Sequence, residues 1–301
     1  MISTSTNDPE PSAPDESRVG FLNGQWLSHS EMSLSIDDVG FRQGVTAVER
    51  LRTYGGRIFA IDAHLRRWEW STSKLRINPL PSMQATESLL GELLQRNAVF
   101  ARDQDVGITM FATPGLVGQS DPTFGMHLNP LNHQRIDLHR QRGQAIVVTD
   151  VRQPPASCWP RSIKTRSRIH YYLADAFAAQ HHADSLGVLI DDDGTITETS
   201  TSNIAVVSSG AIYSPPADRV LAGVTQLMIE LLAQDASISW TKTPISVSQL
   251  VDADEVLLMG TDGGIWFGSS VSNHAIGNGE PGSVFLELRE RFDQLVGDTL
   301  A

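Results

Sequence analysis

The feature that most constrains the fold of this chain is a repeated change between two hydrophobic periods. Short apolar runs such as GITMFAT, AIVVTDV and EVLLMGT have the length and the β-branched content of buried strands. Between them lie longer segments whose apolar residues recur every three or four positions, as in helices that bury one face. This alternation predicts an α/β protein with mixed sheets covered by helices.

Local signals place several elements. Asn23-Gly24 lies between two apolar pairs and predicts a two-residue β-hairpin. Residues 46–54 fit either a helix or a strand. Helices are predicted over residues 61–75, 85–100, 167–182, 224–235 and 281–297, and a second hairpin over 203–215.

The alternation is interrupted once. Residues 116–142 are polar and rich in Pro, Asn and His, which we interpret as the linker between domains. We therefore predict a small N-terminal α/β domain over residues 19–135 and a larger C-terminal domain over residues 136–301. Residues 1–18, dominated by Pro, Ser, Asp and Glu, are predicted to be a disordered tail.

Composition narrows the function classes. The formal net charge of −12 disfavours nucleic acid and anionic membrane as partners. No apolar run reaches the roughly 18–20 residues of a membrane span, and the N-terminus lacks the pattern of a signal peptide. Cys158 is the only cysteine and the histidines lack metal-ligand spacing, so we expect no disulfide, no metal and a cytoplasmic protein.

Two residues in the second half suggest chemistry. Lys164 lies between an irregular segment and a predicted helix, where most lysines are simply solvated. Glu198 follows 34 residues later at a strand end, with Ser200, Ser202 and Asn203 close behind. This segment fits a polar turn, and it also fits a carboxylate that pairs with a protonated ring nitrogen of a ligand.

Three further positions suit an anion. Gly223-Val224-Thr225 opens an amphipathic helix, where free N–H groups and the helix dipole favour a phosphate. Gly260-Thr261 ends a strand and offers an amide and a hydroxyl. Arg67, on the first long helix, can bind phosphate through two N–H groups. Each position also has an ordinary explanation, as a helix cap, a turn or a surface arginine.

The order and spacing of these residues resemble the class IV aminotransferases, which include branched-chain aminotransferase, D-amino-acid aminotransferase and aminodeoxychorismate lyase. The resemblance covers roughly residues 19–297. It is strongest in IKT around Lys164, TETSTSN at 197–203, VLAGVTQ at 220–226 and EVLLMGT at 255–261, and looser in GFRQG at 40–44, Glu49 and HLRRW at 64–68.

The resemblance implies a fold-type IV enzyme, with a small N-terminal α/β domain and a larger pseudo-barrel domain, that uses pyridoxal 5′-phosphate (PLP). Lys164 would bond covalently to PLP and move the proton of the substrate Cα, with its pKa lowered by burial and nearby cations. Glu198 would pair with the pyridine nitrogen, and Asn203 would buttress its loop. The remaining cofactor-binding residues would be Arg67, Gly223, Val224, Thr225, Gly260 and Thr261.

The resemblance also implies the reaction and the partners. An amino group would move between an amino acid, with branched-chain amino acids as candidates, and a 2-oxo acid, and the protein would be a homodimer. A PLP-dependent lyase of the aminodeoxychorismate lyase type shares every one of these residues and is the alternative. A non-catalytic PLP-binding protein is disfavoured because Lys164 and Glu198 are both present.

The chain departs from the family pattern around the substrate. Val48 stands where an aromatic residue is usual, and Gln226 where the phosphate turn usually ends in arginine. Residues 113–121, TPGLVGQSD, lack the Arg-x-His carboxylate trap of the D-amino-acid enzymes, which argues against a D-alanine-type enzyme.

The partner of the cofactor ring hydroxyl stays open. Arg168 and Ile169 occupy the positions of the family's usual tyrosine. Arg168 could approach the phenolic oxygen, as an arginine does in the lyase branch pattern, or lie on the surface, and Tyr171 or Tyr172 could supply a hydroxyl instead. Val48, Arg168 and Trp266 are the candidate pocket residues.

Overall fold

The computed structural model describes residues 18–298. The tail predicted for residues 1–18 therefore lies outside the described residues, apart from Arg18. Within residues 18–298, no helix is both long enough and apolar enough to cross a membrane.

The N-terminal half is a six-stranded sheet with two long helices on one face. Asn23-Gly24 forms the predicted hairpin turn, with φ of 48° and 84°, and residues 46–54 resolve as a strand. The strand order is β2-β1-β6-β5-β3-β4. The elements are β1 (Val19–Leu22), β2 (Gln25–Ser28), α1 (Val39–Gln43), β3 (Ala47–Tyr54), β4 (Arg57–Ile58), α2 (Ile61–Lys74), α3 (Met83–Arg96), β5 (Val106–Thr113) and β6 (Thr123–Pro130).

Alternate residues of these strands face the helices and form the first core. Successive side chains of a strand point to opposite faces of the sheet, so one face can be wholly apolar. The helix side contributes Leu65, Trp68, Leu90 and Leu93, and the strand side contributes Leu51, Ile108, Met110, Met126 and Leu128. The opposite face of the same strands carries polar groups such as Arg50 and Thr109.

The interpretation of residues 116–142 as a linker is wrong. Residues 123–130 form β6, which pairs with β1 on one side and with β5 on the other. Phe124, Met126 and Leu128 are buried in the core, while His127 and Asn129 on the other face gave the segment its polar composition. Residues 133–142 form a helix, α4 (His133–Arg142), and the predicted domain boundary at 135–136 falls inside it.

The C-terminal half is a second mixed sheet, in the order β11-β10-β9-β12-β13-β7-β8, with β14 paired to β13. Its helices include the predicted ones at 167–182, 224–235 and 281–297, within a few residues. The elements are β7 (Gln144–Arg152), α5 (Ile169–Ala179), β8 (Leu186–Ile190), β9 (Asn203–Ser208), β10 (Ala211–Ser214), α6 (Val224–Asp235), β11 (Trp240–Lys242), α7 (Val247–Val251), β12 (Glu255–Gly260), β13 (Gly264–Val271), β14 (His274–Ala275) and α8 (Ser283–Asp298).

The central strands of this sheet are buried on both faces. In β12, Leu257 and Met259 belong to the core under α6 and α8. Val256 and Leu258, which point the other way, belong to a separate core. A strand covered on both sides must be apolar at nearly every position, which explains the unbroken run VLLM in the sequence.

A short extended segment links the two ends of this sheet. Leu189 of β8 exchanges backbone hydrogen bonds with Thr197 and Glu198, at 2.9 and 3.0 Å. On its other side, the Ile196 N–H donates to the Ile245 carbonyl at 2.9 Å, just beyond β11. This segment, residues 195–198, therefore closes the sheet into the barrel-like form that the resemblance implies, and it ends at Glu198.

The two halves join at the residues around Lys164. The Val48 N–H donates to the Lys164 carbonyl, and the Arg166 N–H donates to the Thr46 carbonyl, both at 3.0 Å. The segment that carries Lys164 thus pairs with the beginning of β3. The lysine is fixed at the boundary between the two sheets.

α5 packs closely on this sheet at Gly187 of β8, and a substitution of this glycine tests the contact. A Cβ at this position would lie 2.4 Å from the Ala174 carbonyl oxygen of α5. Gly187→Ala should therefore displace the helix and lower the free energy of unfolding by about 1–3 kcal/mol, as measured by urea unfolding.

Gly91→Ala is the matched control, because the same change in α3 meets open space. It should stabilise the protein by about 0.5–1 kcal/mol, since alanine favours a helix. If Gly187→Ala unfolds at the wild-type urea concentration, the close approach of α5 is contradicted.

Candidate active site

One cavity of about 440 Å³ collects chemical groups from both halves of the chain. It lies where α2, the Lys164 segment, the sheet-closing segment, the start of α6 and the end of β12 meet. All eight residues assigned from the sequence to a cofactor line it, namely Arg67, Lys164, Glu198, Gly223, Val224, Thr225, Gly260 and Thr261. The structure therefore brings together groups that lie far apart in the chain.

Lys164 supplies the amine of this cavity. Its backbone N–H donates to Ser71 Oγ of α2 at 3.0 Å. Burial, and then the charges of Arg67 and Arg168, lower its pKa to about 7 against the opposing effect of the nearby carboxylates. A large fraction of this side chain is therefore a neutral, nucleophilic amine near neutral pH.

Glu198 is a buried carboxylate surrounded by donors. Oε1 accepts from Tyr171 Oη at 2.7 Å and from Gln153 Nε2 at 3.0 Å. Oε2 accepts from the Leu221 N–H at 3.1 Å and from Asn203 Nδ2 at 3.3 Å. Asn203 also donates to the Leu221 carbonyl, so it buttresses this loop as expected.

Burial and hydrogen bonding act on Glu198 in opposite directions. Burial raises the pKa of this carboxyl, and the bonds from Tyr171 and Leu221 limit the rise because they favour the charged form. Burial also holds the pKa of Tyr171 well above its ordinary value, so the phenol remains a donor across the working pH range. Glu198 is thus held as a buried hydrogen-bond acceptor, and Tyr171 remains a protonated donor to it.

Arg67 reaches the cavity from α2 and is held by Glu49 of β3. Its Nε donates to Glu49 Oε2 at 3.1 Å, its Nη2 donates to Oε1, and its Nη1 donates to the Ala222 carbonyl at 2.9 Å. Burial would raise the pKa of Glu49, but Arg67 and the hydrogen bond from His64 hold it at about 2. The carboxylate remains charged and fixes the guanidinium beside the turn before α6.

The start of α6 offers unsatisfied N–H groups to the cavity. The N-cap residue is Gly223, which has no side chain to bond the first-turn amides of Val224 and Thr225. A Cβ at Gly223 would lie 1.8 Å from Asn203 Oδ1, so only glycine allows this approach. The helix dipole and free amides make this turn suitable for an anion.

Of the three candidate pocket residues, Val48, Arg168 and Trp266, only Arg168 lines the cavity. Arg168 donates from Nη2 to the Ser200 carbonyl at 2.5 Å and lies 4.5 Å from the Tyr171 ring centroid. Val48 is buried in β3 and contacts the Lys164 segment through its backbone. Trp266 is packed in the C-terminal core and its indole N–H bonds Gln144 Oε1 at 3.0 Å, so the structure places it in the core instead of along the cavity.

Sequence reasoning missed Gln153, and it left Tyr171 as one of two alternatives. Tyr171 lines the cavity, whereas Tyr172 is exposed. Gln153 follows β7 and lines an adjoining cavity of about 410 Å³ that shares Lys164, Arg168 and Tyr171 with the first. Nothing in the sequence around Gln153 marks it, because its contact with Glu198 spans 45 positions.

A lysine amine, a buried carboxylate and an anion site in one cavity, on two mixed α/β sheets, define a class of enzyme that holds a phosphorylated ring cofactor by covalent linkage. The sequence profile described as amino-transferase class IV matches residues 46–271. The chain belongs to the class IV aminotransferase family. It is a PLP-dependent aminotransferase, and its reaction is the transfer of an amino group between an amino acid and a 2-oxo acid.

Two groups of known proteins are similar to this chain. The D-alanine aminotransferases of Staphylococcus haemolyticus and Bacillus licheniformis are each 26% identical, covering 92% and 87% of this chain and 97% and 91% of theirs. The branched-chain aminotransferase of the archaeon Thermoproteus uzoniensis, solved with norvaline, has 18% identity and a TM-score of 0.83, covering 93% of this chain and 95% of that one. The Escherichia coli branched-chain enzyme has 20% identity and a TM-score of 0.83, covering 93% and 95%. These structures share the fold-type IV architecture.

The residues of the cavity fit PLP on their own chemistry. The Lys164 amine, with a pKa near 7, can bond to the carbonyl carbon of PLP. The buried Glu198 carboxylate can pair with the protonated ring nitrogen, and the start of α6 can bind the phosphate. Among residues 18–298, no group of His, Cys, Asp or Glu is arranged to hold a metal ion.

The lowered pKa of Lys164 predicts its reactivity. The chain has only three lysines, Lys74, Lys164 and Lys242, so labelling can be assigned to each by peptide mapping. In protein freed of cofactor, reductive methylation at Lys164 should rise as the pH passes through about 7, because the neutral amine is the reactive form. Lys164→Arg removes this signal and leaves the other two lysines as internal references. A rise centred near the ordinary lysine value of roughly 10.4 would contradict the electrostatics of the cavity.

Proposed function

We propose that Lys164 is the catalytic amine of this aminotransferase and that the eight cavity residues assigned from the sequence hold its cofactor. One observation carries this proposal. A lysine with a pKa of about 7, a hydrogen-bonded buried carboxylate and an open helix N-terminus face the same space.

Each cavity group has a role that follows from its chemistry. Arg67, the amides of Val224 and Thr225, and Thr261 at the end of β12 bind the phosphate. Gly223 and Gly260 allow the backbone to approach it, since a Cβ at Gly260 would lie 2.4 Å from the Thr201 carbonyl oxygen. Glu198 supplies the negative charge that keeps the ring nitrogen protonated.

The bound cofactor supplies an electron sink for the electron pair of the substrate Cα–H bond. The chain supplies the proton transfer. Lys164 Nζ, neutral near pH 7, would take the proton from the substrate Cα and deliver it to the C4′ carbon of the cofactor, so that the amino group can stay with the cofactor when the 2-oxo acid leaves. Tyr171, Gln153 and Asn203 hold Glu198 in place through this transfer. Burial, and then the charges of Arg67 and Arg168, keep the pKa of Lys164 low.

We propose branched-chain amino acids as the first candidate substrates. Residues 113–121 contain no arginine and no histidine, which removes the carboxylate trap of the D-amino-acid enzymes. The solved branched-chain aminotransferases with the same fold agree with this choice. D-amino acids are the second candidate, because the similar curated relatives are named D-alanine aminotransferases.

We also propose a homodimer, located in the cytoplasm, with its two domains meeting around α4, near residues 135–143. Several large apolar side chains are exposed on segments joined by hydrogen bonds near the Lys164 segment. Ile36 and Phe41 precede β3, Val117 bonds back to Asp37, and the Ser167 hydroxyl bonds the Gly44 carbonyl at 2.7 Å. A second copy that covers this surface would remove it from water. The single cysteine agrees with a reducing compartment.

A donor panel tests the function. The purified protein is mixed with each branched-chain amino acid, with D-alanine and other D-amino acids, and with amines. Transfer should convert the cofactor to pyridoxamine phosphate and release a 2-oxo acid, whereas elimination would regenerate PLP. Lys164→Ala should slow the conversion by about three orders of magnitude or more. Conversion at the wild-type rate in Lys164→Ala would refute the role of the lysine.

Paired surface variants test the dimer. Ile36 and Val99 are equally exposed, at 74% and 72%, but Val99 lies on the loop after α3. Ile36→Glu should weaken self-association at least about tenfold, because a charge is buried without a partner. Val99→Glu should leave the mass from sedimentation equilibrium unchanged. A wild-type protein that sediments as a monomer at micromolar concentration would overturn the proposal.

A further inference from the structure

Three arginines from the N-terminal part of the chain hold the turn that follows β12. This turn, residues 261–263, connects β12 to β13, and its first residue, Thr261, lines the main cavity. A hairpin turn of this length usually depends on its own backbone. Here Arg50 and Arg52 of β3 and Arg140 of α4 all donate to it.

Arg50 makes the most directional contact. Its Nε and Nη2 donate to Asp262 Oδ1 and Oδ2 at 2.8 and 2.9 Å, a two-pronged pair that fixes orientation as well as distance. Its Nη1 donates to Thr109 Oγ1 at 3.2 Å. The guanidinium lies against Gly107 of β5, where a Cβ would come within 2.3 Å of Nη2. The absence of a side chain at Gly107 therefore makes room for the guanidinium.

Arg52 and Arg140 hold the backbone of the same turn. Arg52 Nη1 donates to the Asp262 carbonyl, and its side chain is buried, with the guanidinium 3.9 Å from the Tyr54 ring centroid. Arg140 donates from both Nε and Nη2 to the Gly263 carbonyl, at 3.0 and 2.8 Å. Two consecutive carbonyls and one carboxylate of the turn are thus bonded to arginines outside its own sheet.

The contacts restrain Thr261 through its neighbours. Asp262 and Gly263 are fixed by five hydrogen bonds, and Gly260 is held on the other side by its pairing with Gly264. The backbone is therefore restrained on both sides of Thr261, which presets the direction of its amide. A preset N–H donor favours an anion at Thr261 over a neutral group.

We propose that Arg50, Arg52 and Arg140, here called the arginine clamp, are positioning residues that preset Thr261 for the phosphate of the cofactor. The clamp connects β3 of the N-terminal sheet and α4 to the turn that carries Thr261. This inference rests on the proposed function, which assigns the phosphate to the cavity that Thr261 lines.

The test compares two ligands that differ only in the phosphate. Full-length protein freed of cofactor is titrated with PLP and with pyridoxal, and the ratio of the two dissociation constants is measured by absorbance. Asp262→Asn loses the charged pair, and Arg50→Lys keeps the charge but loses the fork. Each should reduce the preference for PLP at least about tenfold, the effect of losing one charge-assisted contact, while pyridoxal binding is unchanged.

Glu92→Gln is the matched control, because Glu92 forms a surface pair with Arg96 within α3, away from the clamp. It should keep the wild-type ratio. If both ligands lose affinity equally in the clamp variants, or if neither does, the clamp has no role in phosphate binding and the inference is overturned. A wild-type protein without any preference for PLP would instead overturn the phosphate assignment itself.

Discussion

The buried ion pair of Glu49 and Arg67 connects three of the elements that surround the cavity. Glu49 comes from β3 and Arg67 from α2, and Arg67 also bonds the Ala222 carbonyl immediately before α6. Burying two charges gains little net stability unless hydrogen bonds satisfy them, and here His64 and Ala222 do so. The main effect of the pair is therefore on geometry, because it fixes the start of α6 against β3 and α2.

The same pair sets the electrostatics of Lys164. Burial is the main cause of its low pKa, Arg67 is the second, and Glu49 acts in the opposite direction. The balance leaves an amine that can be neutral or protonated near pH 7, which is what a proton carrier requires. Glu198 contributes to this balance from the other side of the cavity, and its own charge depends on the donors around it.

Much of this arrangement could be predicted from the sequence, because the strongest signals are local. The turn at Asn23-Gly24, the helices and the motif residues around Lys164 and Glu198 depend on neighbours in the chain. Strand β6 was misinterpreted although Phe124, Met126 and Leu128 alternate as a half-buried strand should. Its other face carries polar residues, and Gly125 has no side chain there because the Phe111 ring occupies the space, with a Cβ position 2.6 Å from that ring.

The contacts that sequence could not supply are those made across the two halves. Arg50 meets Asp262 over 212 positions, and Arg67 meets Ala222 over 155. No periodicity or motif encodes such pairs, since each residue alone looks like an ordinary surface charge. Both pairs end beside residues at the cavity, on the turn after β12 and on the turn before α6. In our proposal these two turns bind the phosphate, so the cofactor site is built by contacts between the halves, and neither sheet could form it alone.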